Sequence, residues 1–168
     1  MTTTIRPELP ADVEAIEGVT RRAFLSHPYS RQTEQFVIRA LRAADALSVS
    51  LVAEDAGRVV GHIALSPVTI SDASAGWYGL GPIAVEPELQ GRGIGRALME
   101  SGLVELRKLG ANGCVLVGDP ALYMRFGFTN NPALTVEGVP PQFSLALGLG
   151  SSSARGDVRF HEAYQATG

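Results

Sequence analysis

Apolar positions recur along the chain with two spacings, and each spacing predicts an element. From Asp12 to Phe24, Val13, Ile16, Thr20, Ala23 and Phe24 fall on one helical face. Pro10 just upstream suits a helix start. Ser26 to Ser30 breaks the helix, because Pro28 biases the residue before it away from helix. A second helix follows, with Phe36, Val37, Ala40, Leu41 and Ala44 as its expected apolar face. Ser48 to Glu54 and Arg58 to Ile70 read as two strands, joined by the hairpin signal Asp55-Ala56-Gly57. Thr3 to Arg6 reads as a short edge strand, and the small polar run Ser71 to Gly76 as a loop.

Trp77 to Val85 is the next expected strand. Its Gly79, Gly81 and Pro82 do not suit a regular strand and predict a bulge or splay. The longest helix is expected over Arg92 to Leu109, with Ile94, Leu98, Gly102, Leu106 and Leu109 roughly on one face and Gly110 and Gly113 bracketing its end. Gly113 to Val117 is nearly all apolar, as in the centre of a sheet. Asp119-Pro120 reads as N-cap and first residue of a short helix that ends at Gly127. Phe128 begins another strand, Asn130-Asn131-Pro132 turns the chain, and Gln142 to Leu149 reads as a further strand. Gly148 to Gly156 is Gly/Ser-rich and is expected to be mobile. Val158 to Tyr164 is expected to pack back on the sheet. This order predicts one domain over residues 1–168, an α/β (α+β) sandwich whose central mixed sheet is covered by about four helices.

The stretch GPIAVEPELQGRGIG, Gly81 to Gly95, carries the candidate chemistry. A buried strand runs through a turn into the start of a long helix. The first-turn N–H groups of a helix have no intrahelical partner, and the macrodipole adds partial positive charge there. Gly91, Gly93 and Gly95 let an anion approach the backbone closely. No Lys-Ser or Lys-Thr follows, so the loop is not a P-loop. G-x-G-x-x-G fails at Arg96. The spacing that fits is Q-x-x-G-x-G, on Gln90, Gly93 and Gly95. It resembles the coenzyme A pyrophosphate loop of the GNAT superfamily of N-acetyltransferases. Further along, Tyr123-Met124-Arg125-Phe126-Gly127-Phe128 resembles the Y-x-x-x-G-F of that superfamily, and the element order matches its fold from first strand to last. The stretch from Gly118 to Phe128 looks closest to a bacterial subgroup with poorly defined substrates.

The resemblance implies a GNAT fold with a splayed sheet and acetyl-CoA as co-substrate. Gln90, Gly91, Arg92, Gly93, Ile94, Gly95 and Arg96 would hold the pyrophosphate. Ile83, Ala84 and Val85 would take the pantetheine arm as an added strand, with one N–H polarising the acetyl carbonyl. Tyr123 would protonate the leaving sulfur. The implied reaction is direct attack by a primary amine in a ternary complex. The same fold also supports an alternative, a catalytically inactive acyl-CoA sensor or scaffold. The acceptor, a small molecule or a protein amine, is expected at the link between the first two helices, through His27, Tyr29 and Arg31, facing Trp77 and Tyr78. Trp77-Tyr78-Gly79-Leu80 holds no carboxylate, so no general base is assigned. Glu86 and Glu88 read as a solvated turn. His62 faces either core or cleft, His27 and His161 are further histidines, and a water chain is equally open.

Composition narrows the partners. The net charge of −3 argues against nucleic acid, which selects a basic stripe. The single cysteine, Cys114, has no partner for an internal disulfide and sits in an apolar run, and no Cys/His cluster has metal spacing. MTTTIRPELP has no signal-peptide core and no run is long enough to span a membrane, so a cytoplasmic location is expected. Exposed edge strands leave a homodimer open.

Overall fold

The chain opens with β1 (Thr3–Pro7), which pairs antiparallel with β2 (Val49–Asp55). Between them lie α1 (Val13–Phe24) and α2 (Glu34–Ala43). In this computed structural model, which describes residues 2–151 and 153–168, β2 turns through Ala56 and Gly57 into β3 (Arg58–Pro67). There follow β4 (Thr69–Ile70), β5 (Trp77–Val85), α3 (Ile94–Lys108), β6 (Gly113–Val117), α4 (Pro120–Tyr123), β7 (Thr129–Asn130), β8 (Leu134–Val136), β9 (Ser144–Gly148) and β10 (Gly156–Arg159). Seven strands form one sheet in the order β1-β2-β3-β5-β6-β9-β7, and β4, β10 and β8 form a second, three-stranded one.

The hairpin at Asp55-Ala56-Gly57, the β5 strand and the long third helix stand where periodicity put them. Three expectations are corrected. The run Arg58 to Ile70 is not one strand: it breaks at Val68, and Thr69–Ile70 leaves the main sheet to pair with β10. The buried face of α2 is Gln35, Val37, Ile38 and Leu41. Phe36 lies half-buried with the Arg39 guanidinium 5.3 Å from its ring centroid, and Ala44 is exposed. Leu109, the C-cap of α3, is 53% exposed. Ser152, within the Gly148 to Gly156 stretch expected to be mobile, lies outside the described residues.

α3 covers one face of the main sheet. Its Ile94, Leu98, Met99, Leu103 and Leu106 join Leu51, Ile63, Leu65, Leu80, Leu116, Phe128 and Leu145 in the largest apolar cluster. Fully burying one such leucine contributes about 1.5–3 kcal/mol. On the opposite face α1 and α2 cover β2 and β3 through Ile16, Val19, Ile38, Val52 and Ala64. The small sheet covers the rest of that face, packing Val68, Ile70 and Val158 against Trp77, Val115 and Ala146.

Among the described residues β5 and β6 are the only parallel neighbours in the main sheet, and their pairing is short. Trp77, Tyr78 and Gly79 pair with Gly113, Cys114 and Val115, and there the contact ends. β5 continues to Val85 against β3 alone, while Leu116 and Val117 continue against β9. The sheet therefore forks. The fork opens toward the loop before α3.

Candidate active site

The register of β5 against β3 leaves one edge of β5 open. In an antiparallel pair, alternate residues bond across the ladder. The Glu86 N–H donates to the Val60 carbonyl (2.8 Å), which puts Glu86 and, two residues earlier, Ala84 on the β3 side. Ile83 and Val85 therefore turn their N–H and C=O groups into the fork. The Gln90 side chain bears this out, donating from Nε2 to the Val85 carbonyl at 3.1 Å. Upstream, Leu80 pairs with Leu65 and Ile83 with Ile63, so Gly81 and Pro82 together oppose Ala64. This is the bulge that the glycines and proline predicted.

Beyond β5 a short 3-10 turn, Pro87–Leu89, leads into the glycine loop. Gly91 (φ 78°) and Gly93 (φ 87°) are both left-handed, and neither would bring an added Cβ within 4 Å of another atom. Glycine is favoured there by backbone conformation, and the space beside the loop is not filled by the protein itself. Gly93 is the N-cap of α3, so the N–H groups of the first turn point out of the loop with no capping side chain and no acidic residue beside them. A negatively charged group fits this donor set. Arg92 is exposed next to it. Arg96 is exposed and pairs with Glu100 one turn on (2.9 Å).

The opposite arm of the fork carries Tyr123, at the end of α4. Asp119 caps that helix by accepting from the Ala121 N–H (2.9 Å). The Tyr123 ring lies over Gly118, where a Cβ would sit 2.6 Å from it. Tyr123, Ile83 and Val85 border the same apolar cluster. Burial, and after it the Asp119 carboxylate, raises Tyr123 above the ordinary tyrosine value, so the phenol keeps its proton near neutrality. A group missed in the sequence lies at the apex of the fork: the Tyr164 hydroxyl donates to the Gly81 carbonyl (2.6 Å). Its only sequence signal was the aromatic pair Phe160 and Tyr164 in a segment expected to pack on the sheet.

The candidate bases take other roles. Glu86 is not in a solvated turn. It is 2% exposed and bonded by the Arg22 guanidinium at 2.6 and 3.0 Å, with Arg58 at 3.6 Å. Glu88 is exposed beside Arg58 (3.1 Å). His62 is fully buried under α1 and α2, with Nε2 2.7 Å from the Ser50 hydroxyl. Ser50 in turn donates to Glu8, which Arg42 holds at 2.9 Å. Burial pushes His62 down to about 4. It is a neutral core group facing away from the fork. His161 caps the turn after β10, accepting from the Ala163 N–H at 3.0 Å.

The expected acceptor residues are not brought together. His27, Tyr29 and Arg31 are exposed on the α1–α2 link, with the His27 and Tyr29 rings 6.3 Å apart. Arg22, just before that link, is bonded to Glu86 at the C-terminal end of β5. Trp77 and Tyr78 begin β5 at its other end. Trp77 is 4% exposed, wedged between the sheets over Gly113, and offers no aromatic face to a ligand. Tyr78 packs toward the α3 cluster. Among the described residues no group of three or more His, Cys, Asp or Glu is placed to hold a metal ion. No helix among them is long and apolar enough to cross a membrane.

A forked sheet with a free strand edge that leads to an unfilled helix start defines a class: proteins with room for an extended, negatively charged ligand along a strand. Comparison with known proteins makes the class specific. A family model described as "Acetyltransferase (GNAT) domain" matches residues 46–130. The Escherichia coli protein YhbS, described as an uncharacterized N-acetyltransferase, is 39% identical over 125 residues, which are 74% of this chain and 72% of that protein. A GNAT family acetyltransferase from Brucella melitensis, solved in complex with acetyl-CoA, superposes with a TM-score of 0.87 at 47% identity, over 97% of this chain and 98% of that one. Escherichia coli YhbS, solved in complex with CoA, gives a TM-score of 0.89 at 33% identity, over 99% and 93%. The chain belongs to the GNAT acetyltransferase family.

Proposed function

We propose that the chain transfers the acetyl group of acetyl-CoA to a primary amine, by direct attack in a ternary complex. The observation that carries this reading is the open edge of β5, Ile83 to Val85, running into the unfilled glycine loop Gln90 to Arg96 at the start of α3. The edge offers N–H and C=O groups to the amides of an extended arm. The loop offers backbone donors to a pyrophosphate, with Arg92 and Arg96 as nearby positive charges. Acetyl-CoA supplies an activated acyl group and a good thiolate leaving group.

The remaining roles follow from which groups face the fork. The Ile83 N–H is aimed where negative charge develops on the acyl oxygen, and a preorganised donor of this kind is worth about 10²–10³ in rate. Tyr123, held protonated by burial, donates its proton to the departing sulfur. Glu86 and His62 are committed elsewhere, so the amine proton leaves through water. The exposed α1–α2 link with His27, Tyr29 and Arg31 lies next to the helix end that is tied to β5, and it is the surface offered to the acceptor. A small or protein-borne amine suits this open link, and a reducing cytoplasm suits the single buried thiol of Cys114.

The test has two stages. Acetyl-CoA should raise the melting temperature by mass action while NAD and ATP do not. A panel of polyamines, amino acids and peptides should then release CoA thiol with one class of amine. Absence of stabilisation by acetyl-CoA overturns the proposal. Stabilisation without thiol release from any amine would support the non-catalytic acyl-CoA sensor instead.

A further inference from the structure

The segment after β10 is pressed into the apex of the fork. His161 caps a single 3-10 turn, Glu162–Gln165. Ala163 is buried against Val37 and Leu41 of α2. The Phe160 and Tyr164 rings pack at 5.1 Å. A Cβ on Gly79 would stand 2.5 Å from the Phe160 ring, so only glycine at that position of β5 lets the segment seat. From this seat the Tyr164 hydroxyl reaches the Gly81 carbonyl at 2.6 Å.

Gly81 is the first residue of the bulge, with φ at 131°, and Pro82 after it has no N–H. At the bulge the ladder to β3 is interrupted, and β6 has already diverged. The Gly81 carbonyl accepts the Tyr164 hydroxyl at 2.6 Å, a tie that reaches the bulge from outside the sheet. The next N–H along the chain is that of Ile83, which points into the fork. Its direction depends on how the two bulge residues are set.

We propose that Tyr164 is a positioning residue for acetyl transfer: its hydroxyl pins the Gly81 carbonyl and so keeps the Ile83 N–H aimed at the acyl oxygen. This rests on the acetyl-CoA reading of the fork given above. A donor fixed before the reaction needs no reorganisation as charge develops, and small misplacements of reacting groups are costly. Burial pushes the Tyr164 phenol up to about 12, so it remains a donor throughout the neutral range.

The test is the infrared carbonyl band of acetyl-CoA labelled with ¹³C at the acetyl carbonyl, bound to wild type, Tyr164→Phe and Phe160→Leu. All are read below their melting temperatures, with affinity measured by calorimetry. Tyr164→Phe keeps the ring and removes the hydroxyl. Phe160→Leu loosens the same segment and leaves the hydroxyl. In wild type the bound band should move to lower wavenumber, the mark of a hydrogen-bonded carbonyl. Tyr164→Phe should bind acetyl-CoA as tightly, because the glycine loop is untouched, yet return the band toward its free position. Once an amine is known, its turnover should fall about 10–100-fold. Phe160→Leu should keep the wild-type band. A wild-type band in Tyr164→Phe overturns the proposal. So does an equal loss in both variants, which would assign the effect to packing. A wild type that binds acetyl-CoA without a band shift overturns the aimed Ile83 N–H. A wild type that does not bind it overturns the acetyl-CoA reading itself.

Discussion

Gly91→Ala separates the anion site from simple backbone strain, because the protein contains its own control. Gly91 and Gly57 share a φ of 78°, and at neither would a Cβ meet any atom within 4 Å. Gly57 lies in the β2–β3 hairpin and Gly91 in the loop before α3. An alanine at either site pays the left-handed penalty of about 1–2 kcal/mol, partly offset by about 0.4–1 kcal/mol from a less flexible unfolded chain. Both variants should therefore lose about 1 kcal/mol, a fall of about 2–4 °C in melting temperature for a chain of this size. Only at Gly91 does the added methyl occupy the space where a phosphate meets backbone N–H groups. Losing one charge-assisted hydrogen bond of about 1.5–3 kcal/mol weakens binding about 10- to 150-fold. Calorimetric titration with acetyl-CoA reads this directly. Gly57→Ala should bind like wild type. Equal affinity for Gly91→Ala and Gly57→Ala would refute the assignment of the loop.

Tyr123→Phe should keep acetyl-CoA affinity and lower the single-turnover rate about 10²–10⁴-fold, since the ring still fills its place over Gly118 while the proton donor is gone; an unchanged rate returns Tyr123 to a packing role. Replacing Tyr29 and Arg31 together by Ala should raise the amine KM and leave acetyl-CoA binding alone; unchanged amine kinetics would move the acceptor away from the α1–α2 link. The pH dependence of stability should carry the mark of His62. Its folded value, about 4, lies below the unfolded value of about 6.5, so the unfolded chain binds more protons between them and stability falls as the pH drops through that window. The loss between pH 7.5 and 5 should be about 2 kcal/mol by urea unfolding. Glu8 and Asp12, both held low, the first by Arg42 and the second by Arg6, lose their contributions only at more acid pH. His62→Gln should flatten the slope above pH 5, and an unchanged slope would mean that another group titrates there.

Much of the fold was legible because its elements are long and periodic. β5 begins and ends where its pattern does, and α3 shows its apolar stripe at Ile94, Leu98 and Leu106. The glycine loop was legible because its spacing reports left-handed backbone that glycine adopts at least cost. What was not legible depends on partners far along the chain. The break at Val68 has no local signal, because Ile70 finds its partner, Val158, in β10. Glu86 looked solvated because the arginine that buries it stands 64 residues away on α1. Tyr164 meets Gly81 across 83 residues, and its aromatic pairing with Phe160 does not name that partner. The α2 face was misread for a different reason: Gln35 is polar yet buried, and Phe36 is apolar yet shielded by Arg39 on the outer side.

The central claim is that acetyl-CoA joins the open edge of β5 and ends at the first turn of α3. Residue-resolved amide exchange with and without acetyl-CoA tests it most directly. The Ile83 and Val85 amides, which point into the fork, should exchange freely in the unliganded protein and become protected on binding, together with the first-turn amides Ile94 and Gly95. The Ala84 amide, already bonded to β3, should change little. Protection that leaves Ile83, Val85 and the α3 start untouched would contradict the claim.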